Sequence, residues 1–227
     1  MKVEKTNYYK EQLNSKQLFD VYDTNINRVK QYLRSEIAFI RERLKGDESI
    51  LEIGAGYGRI LKELAPYAND ITGIDISENS VAYGNDYLKE IPNAKLEVMD
   101  AYNLSYREKF DIALCLQNGL SAIKGRQQEL VDGVMKTIKT NGSAYFSTYS
   151  EKFWKYRLEW FVEQSEKGLI GEIDIENTKD GVICCKDGFK AITLNENDLK
   201  KFGKQSGYEY EIEEVDESSL FLVITKK

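Results

Sequence analysis

The chain has 227 residues, 41% of them hydrophobic, and a net charge of −6. That length suits one domain with a sizeable core, and the acidic balance, with no basic stripe, speaks against a nucleic-acid partner. The absence of histidine excludes a His-based triad and a His-ligated metal. No apolar run approaches a membrane span and Met1 to Lys10 lack a signal peptide's apolar region, so a cytoplasmic, non-membrane protein is expected.

In chain order, an aromatic-rich segment (Tyr8, Tyr9, Phe19, Tyr22) comes first. Ile26, Val29, Leu33, Ile37, Ile40 and Leu44 then step by three and four, which predicts a helix with one buried face. Ile50–Ile53 is a short apolar run that reads as a buried strand. Glycines 54, 56 and 58 follow at alternate positions, and a helix is predicted over Arg59–Ala65, which Pro66 helps to end. Ile71–Ile76 is a second strand containing Asp75. Ser77 is the expected N-cap of a helix over Glu78–Glu90. Leu96–Ala101, containing Asp100, and Lys109–Leu116 read as strands three and four. A helix over Arg126–Thr140 is expected to end at Asn141-Gly142. Ser143–Tyr149 is the fifth strand.

Beyond it, Glu151–Glu166 is helical in tendency and carries Phe153, Trp154, Tyr156, Trp160 and Phe161. Three short β-like pieces, 171–175, 181–185 and 189–194, are separated by turn residues. Asn195–Ser206 reads as a helix closed by Gly207, and 208–215 with 220–225 as a hairpin. One domain is expected over 1–227: a helical cap (1–46), a ligand-binding core (47–149), a substrate-side insertion (150–193) and a C-terminal helix and hairpin (194–227). Cys184 and Cys185 are neighbours on a predicted strand and should point to opposite faces. With Cys115 they read as structural thiols rather than a zinc site or disulfide.

Strand, glycine turn and helix together bring backbone close to a ligand, because glycine has no Cβ to block the approach. The dinucleotide fingerprint G-x-G-x-x-G would need its third glycine at position 59, which is Arg59. The sequence instead gives Glu52-x-Gly54-x-Gly56-x-Gly58. This resembles motif I of the class I S-adenosylmethionine-dependent methyltransferases. Asp75 lies about 20 residues after the first glycine, the spacing of an acid that grips ribose hydroxyls. Asp100 and the fourth strand fall where that family has its adenine-contacting acid and its motif IV. The resemblance is good over roughly 50–149 and topological near the C-terminus.

It implies an α/β fold: a doubly wound seven-stranded sheet with its last strand antiparallel. It implies S-adenosyl-L-methionine as cofactor, with S-adenosyl-L-homocysteine as product. The expected cofactor contacts are Glu52, Gly54, Ala55, Gly56, Gly58, Asp75, Ile76, Asp100, Ala101, Leu116 and Gln117. Methyl transfer to nitrogen or oxygen of a small molecule is the implied reaction, by a monomer or homodimer. The loop 117–123 lacks the Asp/Asn-Pro-Pro-aromatic signature of amino-methylating DNA enzymes, which disfavours a nucleobase acceptor. Asn118 and Trp154 are expected to touch the acceptor, and Tyr149 and Tyr22 are the candidate catalytic groups. Glu151 is a further candidate base, and no metal is expected. Two other readings stay open: an aminopropyl-type transferase on the same fold and a non-catalytic binder of the cofactor.

Overall fold

The computed structural model describes residues 15–227. Tyr8 and Tyr9 lie outside these residues. Two helices open the described chain: α1 (Ser15–Tyr22) and α2 (Asn27–Arg41). Then come β1 (Ser49–Ile53), α3 (Arg59–Leu64), β2 (Asp70–Asp75), α4 (Glu78–Tyr87) and β3 (Ala94–Val98). After these lie β4 (Phe110–Cys115), α5 (Gly119–Ala122), α6 (Gln127–Met135) and β5 (Ile138–Tyr149). The insertion holds α7 (Trp154–Glu166), β6 (Val182–Cys184) and β7 (Lys190–Ile192). The chain ends with α8 (Glu196–Ser206), β8 (Glu209–Val215) and β9 (Ser219–Thr225).

Seven strands form one sheet in the order β3-β2-β1-β4-β5-β9-β8. β9 runs antiparallel to both of its neighbours, and the pairings among β1 to β5 are parallel. The seven-stranded doubly wound fold is therefore present. The central strands read as nearly unbroken apolar runs because helices cover both faces. One face packs Ile50, Ile71, Leu114 and Phe221 under α2, α3 and α4. The other packs Leu51, Ile74, Ala113 and Leu222 under α6 and α8. A third apolar cluster joins α1 and α2 to the insertion through Val21, Tyr32, Tyr149, Trp160 and Phe161. This cluster caps the carboxyl ends of the strands.

Two local expectations differ from the structure. α6 ends at Met135, not Thr140, and β5 already begins at Ile138. Asn141-Gly142 is an irregularity inside β5 rather than a helix stop. Phe110 pairs with Ile138 while Ile112 pairs with Ser143, so β5 carries extra residues there. A Cβ on Gly142 would lie 2.5 Å from the Asp111 carbonyl oxygen, so the close approach requires glycine. The first of the three predicted β pieces in the insertion makes only an isolated bridge, Ile173 to Cys185. β6 and β7 do pair, antiparallel. All three cysteines are buried and free.

Candidate active site

β1 hydrogen-bonds to β2 on one side and to β4 on the other, so the strand order reverses beside it. Such a switch point opens a crevice at the carboxyl ends of the strands. A cavity of about 220 Å³ lies there. The glycine loop forms its floor. Gly54 N–H donates to the Ile74 carbonyl at 2.9 Å, and Gly56 N–H to Asp75 Oδ2 at 2.9 Å. Gly56 has φ +56, and a Cβ there would lie 2.5 Å from Leu18 Cδ2, so α1 rests directly on the loop. Gly58 has another job. Its missing Cβ makes room for Leu88, at 2.7 Å, and it turns towards the core instead of lining the cavity.

Asp75 carries the loop and the next helix together. Its second oxygen accepts the Ser77 N–H at 2.8 Å, and Ser77 Oγ caps α4 by accepting from the Ser80 N–H at 3.2 Å. Burial raises the Asp75 pKa, against the pull of those N–H groups. The carboxylate keeps lone-pair capacity for a ligand hydroxyl beyond these N–H groups. Ile76, 39% exposed, stands at the cavity edge as an open apolar surface, next to Asp100 and Ala101. Asp100 is oriented by the Tyr102 N–H at 2.9 Å and Asn103 Nδ2 at 2.7 Å.

Three polar atoms of the cavity lining are buried without a hydrogen-bond partner: Glu52 Oε2, Arg59 Nη2 and Gln117 Nε2. Buried polar groups normally find partners, so a carboxyl and a guanidinium lining one cavity, both incomplete, suit a zwitterionic ligand end. Burial pushes the Glu52 carboxyl up to about 8, opposed by Arg59 and reinforced by Asp75. Arg59 makes no ion pair within 4.0 Å among the described residues; its guanidinium lies 4.6 Å from the Tyr22 ring centroid. The residues present thus fit S-adenosylmethionine: Arg59 and Glu52 for its amino-acid end, Asp75 for ribose, Ile76, Asp100 and Ala101 for adenine.

Part of the cavity lining is aromatic. Tyr22, Tyr149, Trp160 and Phe161 form it, with Gln164 among them. Trp160 Nε1–H donates to the Val21 carbonyl at 3.0 Å, and its ring lies 6.2 Å from that of Tyr22. Tyr149 sits beneath the Arg157 guanidinium, 4.7 Å from the ring centroid. Leu116 and Gln117 close the cavity from β4.

Two expected acceptor contacts lie elsewhere. Asn118 does not line the cavity. Its Nδ2 donates to the Ile192 carbonyl at 2.8 Å and its Oδ1 accepts from Thr148 at 2.9 Å, so it is a strut between the motif IV loop and the insertion. Gln117 and Asn118 hold φ of +53 and +63, and this strut fixes that turn. Trp154 faces an outer groove with Ile26, Leu158 and Val162, because α7 turns it away from the cavity. Glu151 is exposed in a short 3₁₀ turn. Among the cavity-lining residues that sequence reasoning did not assign to the site are Arg59, Trp160, Phe161 and Gln164. Among the described residues there is no group of three or more His, Cys, Asp or Glu placed to hold a metal ion. No helix of the described residues is long and apolar enough to cross a membrane.

The comparisons with known proteins agree with this geometry. A family profile described as a methyltransferase domain matches residues 50–142. A ubiquinone biosynthesis O-methyltransferase of Rickettsia akari is 26% identical over 151 residues, 66% of this chain and 59% of the relative. A second relative with the same description, from Hydrogenovibrio crunogenus, is matched over 52% of its length, so the chain spans little more than half of these curated relatives. A solved protein of Pyrococcus horikoshii superposes with a TM-score of 0.68 at 18% identity, over 98% of this chain and 99% of the other. Residues 50–142 thus match a methyltransferase domain, and the strand order and the Glu52-to-Gly58 loop support a class I S-adenosylmethionine-dependent methyltransferase.

Proposed function

We propose that this chain transfers the methyl group of S-adenosylmethionine to a nitrogen or oxygen of a small, largely apolar acceptor. The observation that carries the reading is one cavity lined both by the glycine loop with the incomplete polar atoms of Glu52 and Arg59 and by the aromatic rings of Tyr22, Tyr149, Trp160 and Phe161. The sulfonium supplies an already activated methyl group, and alignment of a nucleophile with it is worth roughly 7–11 kcal/mol. The chain's own part is to hold and desolvate. Arg59 and Glu52 fix the amino-acid end, and Asp75 fixes the ribose. The aromatic wall excludes water, and its π faces suit a sulfonium cation.

An amine can attack in its neutral form, whereas a hydroxyl needs proton removal. Tyr149 and Tyr22, two of the tyrosines that line the cavity, are the candidates for that step. The O-methyltransferase activity for which the Rickettsia relative is named favours oxygen. Arg59, whose buried Nη2 has no partner, favours a cofactor with its carboxylate intact over the decarboxylated form used in aminopropyl transfer. The aromatic chamber beyond the loop favours an enzyme over a passive binder. The net charge of −6 favours small molecules over nucleic acid.

The test is incubation with methyl-labelled S-adenosylmethionine against RNA, DNA and a small-molecule extract. Label is expected in the small-molecule fraction, and label confined to nucleic acid overturns the reading. The cofactor assignment has its own check. Asp75→Ala should weaken S-adenosylhomocysteine binding by about 1.5–3 kcal/mol, the worth of hydrogen bonds to a charged group, or roughly tenfold to a hundredfold. Unchanged affinity by calorimetry would remove Asp75 from the site.

A further inference from the structure

Beneath the cavity wall lies a second carboxyl outside every motif described above. Glu36, on α2, is fully buried. Its Oε1 accepts from Ser219 Oγ of β9 at 3.0 Å, and its Oε2 has no hydrogen-bond partner. The Ser147 hydroxyl of β5 and the Tyr32 phenol of α2 lie against the same carboxyl. Ser147 Oγ in turn accepts the backbone N–H of Gln117, at 2.7 Å, so Glu36 touches the chain of contacts that ends in the cavity. The charged group facing Glu36 is Arg59, from the start of α3, and its field also reaches Tyr32 and Glu52. One half-buried cation therefore acts on two buried carboxyls, and all three have an incomplete buried atom: Arg59 Nη2, Glu52 Oε2 and Glu36 Oε2.

We propose that Glu36 is a positioning residue for the cofactor's amino-acid end: it is the counter-charge behind Arg59, and it takes up a proton from solvent when Arg59 engages the cofactor's carboxylate. The proposal rests on the cofactor reading given above. In the empty site Arg59 supports the Glu36 anion. Once Arg59 pairs with a carboxylate on its cavity side, that support is spent on the ligand, and a further negative charge has arrived nearby. Ser219, Ser147 and Tyr32 alone then face Glu36. Burial already lifts the group to about 7 in the empty site, so a modest further rise moves a measurable fraction of a proton at neutral pH. Glu52 acts in the opposite sense, because a ligand ammonium beside it favours its anion and releases a proton.

A ligand pair separates the two carboxyls. S-adenosylhomocysteine has both the ammonium and the carboxylate; its decarboxylated analogue, 5′-deoxy-5′-(3-aminopropylthio)adenosine, has the ammonium alone. Calorimetric titration of the full chain near pH 7 in phosphate and in Tris, whose ionisation enthalpies differ, counts the protons exchanged. The wild-type chain should take up more protons with S-adenosylhomocysteine than with the analogue, by up to about half a proton for a group titrating near 7. In Glu36→Gln that difference should vanish, while both ligands still bind. Equal proton counts for the two ligands in the wild-type chain overturn the proposal without use of any variant. A difference that persists in Glu36→Gln also overturns it. If neither ligand binds the wild-type chain, the cofactor reading itself has failed.

Discussion

Glu36→Gln is expected to stabilise the protein by about 3 kcal/mol at pH 8 and to change little at pH 4. Glu36 is fully buried, and its pKa rises from 4.5 to about 7 chiefly through desolvation, with the hydroxyls of Ser147, Ser219 and Tyr32 and the charge of Arg59 limiting the rise. At about 1.4 kcal/mol per pKa unit, that rise corresponds to about 3 kcal/mol. The sign follows from linkage. Between 4.5 and 7 the folded state binds the proton that the unfolded state has lost, so stability falls as pH rises through this window and stays low above it. Below 4.5 the carboxyl is neutral in both states and no penalty exists. Glutamine retains an acceptor for Ser219 Oγ and has no charge to bury. Urea unfolding at intervals from pH 4 to 8 should therefore show a steep decline in the wild-type chain and a shallower one in the variant. Parallel curves would mean that Glu36 is ionised at little cost. Glu52, pushed to about 8, continues to depress stability to higher pH, so Glu36→Gln should reduce the slope without abolishing it.

The same residue shows how much of the site was legible. The helix over Ile26–Leu44 was evident from its apolar steps, and Glu36 lies on that stripe: Leu33, Glu36, Ile37 and Ile40 follow the i, i+3, i+4, i+7 spacing and are all buried. An acid on an apolar stripe is a sequence signal for a buried charge, although its partners Ser147 and Ser219 come from distant strands. The first half of the sheet was legible because β1 and β2 are short apolar runs, the first followed by glycine and the second ending in an acid. The cofactor side was legible because its contacts follow one another along the chain, each just past a strand. Asn118 was not, because its partner Ile192 is 74 residues away and no local pattern announces it. Arg59 was read only as the residue occupying a missing glycine's place. Its position immediately after the glycine loop is what brings the guanidinium to the cavity.

Trp154 and Trp160 teach the same point about phase. Six residues apart on a helix, they lie about 120° apart around its axis. The buried face of α7 is Arg157, Trp160, Phe161 and Gln164, again i, i+3, i+4, i+7, but two of the four are polar. A count of aromatics gives the segment and not the face, so the tryptophan on the outer groove was preferred to the one on the cavity.

That exchange puts Trp160, not Trp154, where α1 meets the insertion over the cavity. α1 covers the glycine loop through Leu18 and is fastened to α7 by few groups: Trp160 Nε1–H to the Val21 carbonyl, Thr24 Oγ1 to Glu163, the Asn25 N–H to Glu163 at 3.2 Å, and Lys167 to the Asp23 carbonyl. Of these only Trp160 is also a cavity wall, packed against Tyr22, Tyr32 and Phe161. Trp160→Ala should cost about 3–5 kcal/mol, as large-to-small changes in cores do. The loss should fall unevenly, because α1 is short and has Trp160 as its main apolar partner on α7. Amide exchange over residues 15–22 should therefore accelerate more than exchange in β1 or β4. Trp160→Phe keeps a ring against Tyr22 and removes only the donor to Val21, so it should cost nearer 1 kcal/mol. If α1 and α7 close over the cofactor, S-adenosylhomocysteine should slow exchange in 15–22 and 154–166 of the wild-type chain. Trp160→Ala should lose that protection while the glycine loop keeps its own. Exchange over 15–22 that is indifferent both to ligand and to Trp160→Ala would make α1 a fixed cover, and the aromatic wall a piece of core with no part in admitting or sealing the acceptor.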